Sequence, residues 1–376
     1  MPSIFVFHRC ATRLLPSATA LLWLVIISAA APGQEEVENV VGERDKYYAR
    51  SHRAVHENHM LSPRARGLGG TYAAIVNGTA GVIENPAGLG AQTDRQVLSY
   101  LGVDSLEDGD NCGHWLVIGA GGSFNLNACM PETWIRENVG NQTVGFFIHH
   151  SGIEWDNAGE LASDLDGLVM AYGRSFRNGK AFGGVAIGIF EGDWSDDRHL
   201  VDRNYSRWEF KAGGIYRATS RMAFGGHILM ALGDIANDAT YLNWDGDVAH
   251  FEMRGGAAYE LTARTLVAAD ISHGWWKGDL EDSGDRKVEE NHDVWRLSAG
   301  LEHIVIPSRL TARGGIYYTH DDYQYASGGD ARSVEDAYFG AAGGLSWYRD
   351  EIEIGYTLDL RDTGEMGNYF TFGYNW

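Results

Sequence analysis

The chain ends in Asn-Tyr-Phe-Thr-Phe-Gly-Tyr-Asn-Trp, residues 368–376. In an extended strand the side chains alternate between two faces, so the aromatic residues at every second position from Phe370 to Trp376 share one face. In water, an exposed ribbon of four aromatic residues would favour aggregation. In lipid the same strand is stable if it pairs on both sides within a closed barrel. The stretch therefore predicts the last strand of a transmembrane barrel, with the buried last strand of a soluble sandwich as the alternative.

The same alternation recurs through residues 96–376. Between 351 and 360, for example, one face carries isoleucine, tyrosine and leucine, whereas the other carries Glu353, Gly355, Thr357 and Asp359. A sandwich would bury the apolar face, and a membrane barrel would turn it towards lipid. The period alone therefore does not separate the two folds.

Strand number and the sorting of the connections favour the barrel. We place fourteen strands at 96–104, 113–123, 143–154, 165–176, 180–191, 205–217, 221–233, 248–260, 264–276, 292–304, 309–320, 336–348, 351–360 and 368–376. The number is even, as in single-chain bacterial barrels. The sequence thus predicts an all-β fold, a transmembrane antiparallel up-and-down β-barrel of about fourteen strands with an N-terminal hatch or plug segment.

Short and long connections alternate along these strands. Asn178-Gly179 is a strong signal for a tight hairpin because both positions tolerate positive φ. The clear short turns fall on one rim of the barrel. The other rim receives long acidic connections, at residues 192–204, 234–247, 277–291, 321–335 and 361–367. This sorting is typical of periplasmic turns and extracellular loops.

The N-terminus predicts export. In residues 1–34, Arg9 and Arg13 precede an apolar run that ends in small residues, which is the pattern of a secretory signal peptide. We expect residues 35–95 to form a polar tail followed by a hatch in the lumen, and residues 96–376 to form the barrel. The predicted location is the bacterial outer membrane, with the signal peptide cleaved.

Charge and cysteine content limit the partners. The formal net charge of −21 argues against nucleic-acid binding, which needs a basic patch. Two cysteines, Cys112 and Cys129, follow the signal peptide, so one disulfide bond is a hypothesis. It requires the chain to turn back between them, because one continuous strand would hold them beyond about 7 Å.

A glycine-rich stretch, residues 67–90, contains a hatch motif of Asn85, Pro86 and Ala87. It resembles the N-terminal region of the FadL-like outer-membrane family, which includes fatty acid and aromatic-hydrocarbon transporters and the PorV-type proteins of type IX secretion. The aromatic terminus likewise resembles the closing strand of bacterial outer-membrane barrels. The resemblance implies a plugged barrel in which hydrophobic cargo binds from outside and leaves sideways through a strand kink next to the hatch.

A hydrophobic ligand needs a dry pocket with few polar anchors. The candidate ligand-binding residues are apolar members of the hatch stretch: Leu68, Tyr72, Ile75, Val76, Val82, Ile83 and Leu89, with Met60 and Leu61 before them. Their alternative role is to pack the plug against the inner wall. Pro86 suits a rigid turn, and Asn85 can stabilise a turn through its side chain.

The predicted lumen face of the strands carries both charges. Its members are Arg207, Glu209, Lys211, Glu252, Arg254, Arg296, Glu302, Arg313 and Glu353. Mixed signs predict a mutually neutralised wall that holds the plug, whereas a charge-selective pore would favour one sign. Arg254 and Arg313 are further candidates for contact with an anionic headgroup.

We find no pattern for catalysis, a cofactor or a metal site. The nucleophile elbow, the phosphate loop and the His-Glu-x-x-His motif are missing from the sequence. His52, His56 and His59 have helical spacing, but a solvated tail explains them better than a metal site. His149 and His150 are adjacent in a strand and should point to opposite faces.

Two functions remain open. The leading hypothesis is a FadL-like channel, not an enzyme, that binds and passes hydrophobic small molecules within the lipid of the outer membrane. The alternative is a PorV-type partner that works with secretion-system components and transports no lipid. The sequence discriminates poorly between them.

Overall fold

Alternating side chains build the wall of the molecule, which is one closed antiparallel sheet. The computed structural model describes residues 61–75, 78–92, 95–108, 111–129, 140–155, 161–176, 179–196, 201–239, 242–282, 287–327, 330–362 and 366–375. The strands formed by these residues are β1 Gln96–Asp108, β2 Asn111–Asn125, β3 Gln142–Trp155, β4 Leu161–Phe176, β5 Ala181–Asp196, β6 Val201–Arg217, β7 Met222–Ala239, β8 Leu242–Thr262, β9 Thr265–Asp282, β10 Lys287–Ile306, β11 Leu310–Ser327, β12 Asp330–Arg349, β13 Ile352–Arg361 and β14 Met366–Asn375. Each strand pairs with its neighbours in sequence, and β1 pairs with β14 to close the barrel. The predicted barrel of fourteen strands is confirmed.

The outer face of the barrel is apolar. Phe370 and Phe372 are 54% and 46% exposed, whereas Tyr369 between β1 and β13 is completely buried. Trp376 lies outside the described residues. The same outward band continues around the wall with Ile148, Met170, Trp208, Phe210, Ile228, Leu297, Ile316 and Phe339, all 44% to 57% exposed. Hydrocarbon, and not water, is the solvent that such a band requires.

One rim carries short turns, as predicted. Ser308 and Asp350 adopt positive φ values of 57° and 54° in the β10–β11 and β12–β13 turns. Arg177 and Asn178 of the predicted tight hairpin lie outside the described residues. We call this rim periplasmic and the opposite rim extracellular, following the rule for outer-membrane barrels.

The predicted long acidic connections at the extracellular rim are wrong. Strand β7 continues to Ala239 and β8 resumes at Leu242, so most of the predicted loop 234–247 is strand. The predicted loops at 192–204, 277–291 and 321–335 are likewise largely strand, whereas most of 361–367 lies between β13 and β14. Backbone pairing needs no apolar side chain, so the strands continue beyond the bilayer, where water solvates their aspartates and glutamates.

The disulfide hypothesis is also wrong. Strand β2 runs unbroken from Asn111 to Asn125 and is followed by the short 3₁₀ helix η3, Leu126–Cys129. Cys112 and Cys129 therefore lie at opposite ends of β2, roughly 40 Å apart at the rise of an extended strand. The chain does not turn back between them, so a bond is geometrically excluded.

Inside the barrel lies a segment of short helices. These are α1 Pro63–Gly67, η1 Gly78–Val82 and η2 Pro86–Ala91. We call residues 61–92 the hatch. The hatch begins before the glycine-rich stretch 67–90, because Leu61, Ser62 and Arg66 are already buried. Within the described part of the chain, each helix is too short to cross a membrane.

Candidate ligand passage through the hatch and inner wall

The hatch motif begins helix η2. Asn85 is its N-cap, and the Asn85 Oδ1 atom accepts a hydrogen bond of 3.1 Å from the backbone N–H of Ala87. Pro86 occupies the first helical position, where no donor is needed. The Asn85 Nδ2 atom also donates to the Ala73 carbonyl at 2.8 Å. The motif therefore shapes the turn and joins the two halves of the hatch.

Charged side chains of the inner wall hold the hatch by its backbone. Arg254 donates to the Gly70 carbonyl at 3.0 Å, and Arg296 donates to the Gly69 carbonyl at 3.2 Å. An acidic side chain of the wall takes part as well, because Asp270 accepts a hydrogen bond of 2.8 Å from the Tyr72 backbone N–H. These contacts confirm that the mixed charges form a wall that fixes the plug. Short helices leave many backbone groups without hydrogen-bond partners, and side chains of the wall supply these partners.

Glycines in the wall let the hatch approach the sheet closely. A Cβ at Gly184 would collide with the backbone of Pro86, and one at Gly315 would collide with Leu68. A glycine in a strand interior otherwise weakens the strand. At these positions it lets the backbones of sheet and hatch touch.

Glu84 ties the start of the hatch to its end. Its Oε1 atom accepts a hydrogen bond of 2.9 Å from the Ser62 backbone N–H, which precedes α1. Glu84 is 2% exposed, and burial raises the pKa of its carboxyl to about 7, against the opposing effects of Ser62, Arg64 and Lys211. The carboxyl therefore changes protonation near neutral pH.

The apolar part of the lumen lies along β1–β5. The hatch residues Val82, Ile83 and Leu89 belong to one cluster with residues of the wall, namely Tyr100, Val117, Phe147, Leu165, Val169 and Phe190. We call this cluster the apolar column. Leu165 lies near the extracellular end of β4, so the column extends from the hatch towards the outside.

The opposite part of the lumen, along β8–β10, is polar. Here a cavity of about 50 Å³ is lined by side chains that include His250, Trp276 and His292. His292 and Asp321 form a buried hydrogen bond across β10 and β11. The lumen therefore has an apolar side along β1–β5 and a polar side along β8–β10.

The predicted ligand residues divide between these two sides. Val82, Ile83 and Leu89 form the base of the apolar column and are at most 1% exposed. Leu68 and Tyr72 are buried on the polar side, where the Tyr72 ring lies under the Arg254 guanidinium at 4.5 Å. Ile75 is half-buried at the periplasmic side, and Val76 and Met60 lie outside the described residues.

The two arginines proposed for an anionic headgroup already have partners. Arg254 bonds Gly70 and lies 3.2 Å from a Glu252 oxygen. Arg313 donates to Glu302 at 2.7 Å and also to Ser346 and Tyr348. Both guanidiniums are thus engaged in holding the lumen together.

The sequence analysis did not predict the wall residues of the apolar column as candidates for ligand binding. Phe147 is completely buried next to the outward-facing Phe146 and Ile148, and Phe190 is buried next to Ile189. The signal was present as short runs in which apolar residues occupy both faces, which indicates a strand that is buried on both sides. Adjacent His149 and His150 do face opposite sides: His149 is buried and within 3.4 Å of the Tyr100 hydroxyl, and His150 bonds Asp166 on the outside.

The described residues contain no cluster of three or more acidic, histidine or cysteine side chains suited to a metal ion. His52, His56 and His59 lie outside them. The wall itself is continuous at the height of the hatch. Among the described strand residues, the pairing shows register shifts only between Glu260 and Thr262 and between Ile304 and Ile306, both at the periplasmic rim. The described strands therefore do not show the kink beside the hatch that the family resemblance implied.

Solved structures share this architecture. A Pseudomonas aeruginosa FadL homologue superposes with a TM-score of 0.58 at 11% identity, covering 84% of this chain and 98% of its own. The P. putida toluene transporter TodX gives 0.56 at 13% identity, covering 85% and 99%, and the Ralstonia pickettii toluene transporter TbuX gives 0.55 at 14%, covering 85% and 99%. No protein-family model and no curated protein matches the sequence. By fold, the chain is a FadL-like β-barrel.

Proposed function

We propose that this chain is an outer-membrane channel that binds hydrophobic small molecules and passes them across the outer membrane. The observation that carries the proposal is the apolar column, which joins the extracellular part of the lumen to the hatch. The lumen wall along β8–β10 carries polar and charged side chains, so the column accommodates an apolar molecule better than that side does. Export by means of residues 1–34 is part of the proposal.

The similar structures support transport and not catalysis. Two of them are toluene transporters, and another is a monoaromatic hydrocarbon channel. In this chain, Val82, Ile83 and Leu89 form the floor on which the cargo would rest before the hatch. We therefore assign these three residues to ligand contact, and Leu68 and Tyr72 to anchoring the hatch.

A polar substitution in the column tests the proposal. Phe190→Gln places an amide in the apolar column, so uptake of labelled toluene by intact Gram-negative host cells should fall several-fold. Trp276→Gln makes a similar change on the polar side, where Trp276 is equally well buried, and should leave uptake close to the wild-type rate. Equal uptake by the two variants would contradict the assigned path.

The secretion-partner alternative makes a different prediction in the same experiment. A PorV-type protein would give wild-type cells no more toluene uptake than cells that carry an empty vector. Uptake above that level excludes a barrel that only presents other proteins.

A further inference from the structure

Arg66 in helix α1 is a buried cation with unused hydrogen-bond donors. Its side chain belongs to a residue that is 2% exposed, and within the described part of the chain its Nε and Nη2 atoms have no hydrogen-bond partner. The guanidinium lies 4.2 Å from the centre of the Tyr369 ring, which offers it only a π face. Its N–H groups can therefore donate to a ligand.

A polar pair in the wall of the apolar column lies next to Arg66. The Tyr369 ring lies over Gly102, and Tyr100 is the next inward residue of β1. The Tyr100 hydroxyl is 3.4 Å from the Nδ1 atom of His149, and the charge of Arg66 acts on both of these side chains. We call Arg66, Tyr100 and His149 the polar site.

The contact between Tyr100 and His149 is longer than an optimal hydrogen bond. Hydrogen bonds between nitrogen and oxygen are normally about 2.7–3.2 Å long, and this one is 3.4 Å. A hydroxyl is both a donor and an acceptor, so a ligand hydroxyl can accept from Arg66 and donate to Tyr100 or His149. The polar site thus provides both kinds of partner that one hydroxyl needs.

The charges around the polar site favour a neutral group over an anion. The ionised Glu84 carboxyl acts on Tyr100 with the opposite sign to Arg66, so the two fields partly cancel. A buried carboxylate is costly unless it is fully paired, whereas a phenol, with a pKa of about 10, is neutral at pH 7. A phenolic hydroxyl therefore suits this site better than a carboxylate.

The wall of the column beside the polar site is made of aromatic rings that lie over glycines. The Tyr100 ring covers Gly119 and stacks on Phe147, with 5.6 Å between the ring centres. The Phe190 ring covers Gly167 in the same way. Aromatic rings pack favourably against other rings, so this wall suits a ligand that is itself a flat ring.

We infer that the apolar column and the polar site together recognise an aromatic ring that carries one hydroxyl, so that simple phenols are the preferred cargo and plain hydrocarbons bind less tightly. The ring packs against the aromatic wall, and its hydroxyl bonds to Arg66 and to Tyr100 or His149. The inference rests on the proposed function and specifies its substrate class.

Three ligands that share one ring test the inference. These are p-cresol, toluene and 4-methylbenzoate, which carry a hydroxyl, no polar group and a carboxylate. Retention of each labelled ligand by the purified full chain is measured by equilibrium dialysis, after subtraction of binding to empty detergent micelles. We expect p-cresol to bind about tenfold more tightly than toluene, as one hydrogen bond to a charged group provides, and more tightly than 4-methylbenzoate.

Substitutions in the polar site should lower the ratio of p-cresol affinity to toluene affinity several-fold. Tyr100→Phe and Arg66→Met each remove a hydrogen-bonding group from this site. Tyr338→Phe removes the hydroxyl of a similarly buried tyrosine in β12, outside the column, and should keep the wild-type ratio. If Arg66→Met does not fold, Tyr100→Phe alone decides. A general loosening of the protein would weaken both ligands and leave the ratio unchanged.

The outcomes separate the inference from the proposed function. Equal retention of p-cresol and toluene by the wild type, or a ratio that the folded polar-site variants keep, would overturn the polar site and leave the proposed function intact. Tighter retention of 4-methylbenzoate than of p-cresol would overturn the preference for a neutral hydroxyl. Wild-type cells that take up no more toluene than empty-vector cells would overturn the proposed function itself.

Discussion

At the scale of single residues, the hatch is held by a few buried polar groups. Asn85 joins the two halves of the hatch, and Glu84 joins its last helix to its first through Ser62. A buried polar group that loses its partner costs about 1–3 kcal/mol, so each of these contacts restricts the hatch to one arrangement. The turn role of Asn85 was readable from the sequence, because Asn-Pro favours a turn. The buried contact of Glu84 was not, because its partner lies 22 residues away.

Glu84 should make the seating of the hatch depend on pH. Its pKa in the folded state, about 7, lies above its ordinary value of 4.5, so the folded protein binds this proton more tightly than the unfolded chain does. The resulting stability is fully present below about pH 4.5 and is lost as the pH rises through about 7. We therefore expect hatch amides to exchange faster at pH 8 than at pH 5.5, after correction for intrinsic rates.

Glu84→Gln should abolish this dependence, because the amide keeps an acceptor for Ser62 and carries no charge. Glu351→Gln changes an exposed residue in the β12–β13 turn and should keep the wild-type dependence. Hatch exchange that is equally pH-dependent in the wild type and in Glu84→Gln would show that another group controls the seating.

At the scale of elements, alternation predicted which strands exist but not where they end. The period of two located all fourteen strands, because the lipid-facing residues are apolar and the neighbouring residues are polar or small. The predicted strands were too short at their extracellular ends. Asp245 and Asp247, for example, were predicted to lie in a loop, although they pair with β9. Acidic residues indicate contact with water, which a strand beyond the bilayer has as well as a loop.

The inner wall and the hatch also depend on each other as elements. Gly315→Val should unseat the hatch while leaving the barrel closed, because the new Cβ would collide with the backbone at Leu68. Overpacking of this kind costs about 1–3 kcal/mol. We expect faster hydrogen exchange in residues 61–92, with the strand amides unchanged.

A matched control is available in β8. Gly255 has no atom within 4 Å of the position that a Cβ would occupy, so Gly255→Val should leave exchange in the hatch unchanged. Loss of protection in the hatch for both variants would mean that any valine in the wall loosens the barrel, and that close approach at Gly315 has no special role.

At the scale of the whole molecule, the barrel reverses the arrangement of a soluble sandwich, because its apolar face is turned outwards to lipid and its polar face inwards to the lumen. The outward face is oily and the inward face carries most of the buried charge, with Arg207, Glu209 and Arg313 all at most 5% exposed. The sequence shows this arrangement only as an alternation of apolar and polar residues with a period of two, and a soluble sandwich has the same alternation. The pairing of β1 with β14 distinguishes the barrel from the sandwich, and it joins residues from opposite ends of the sequence that forms the wall.

Closure also explains why the last strand is so aromatic. Leu101 of β1 pairs with Phe370 of β14, and both face outwards, so the seam of the barrel is covered by lipid-facing side chains. The sequence could predict the aromatic face from the strand alone. It could not predict the partner strand, because Leu101 and Phe370 are 269 positions apart (370 − 101) and such a distant pair leaves no local signal.

Electrophoretic mobility in detergent tests the closed barrel most directly. The purified mature chain should migrate faster unboiled than boiled, because a paired and closed sheet remains compact in the detergent until heat opens it. Equal mobility before and after boiling, in a chain that is folded and monodisperse in plain buffer without any amphiphile, would contradict the barrel and every proposal built on it.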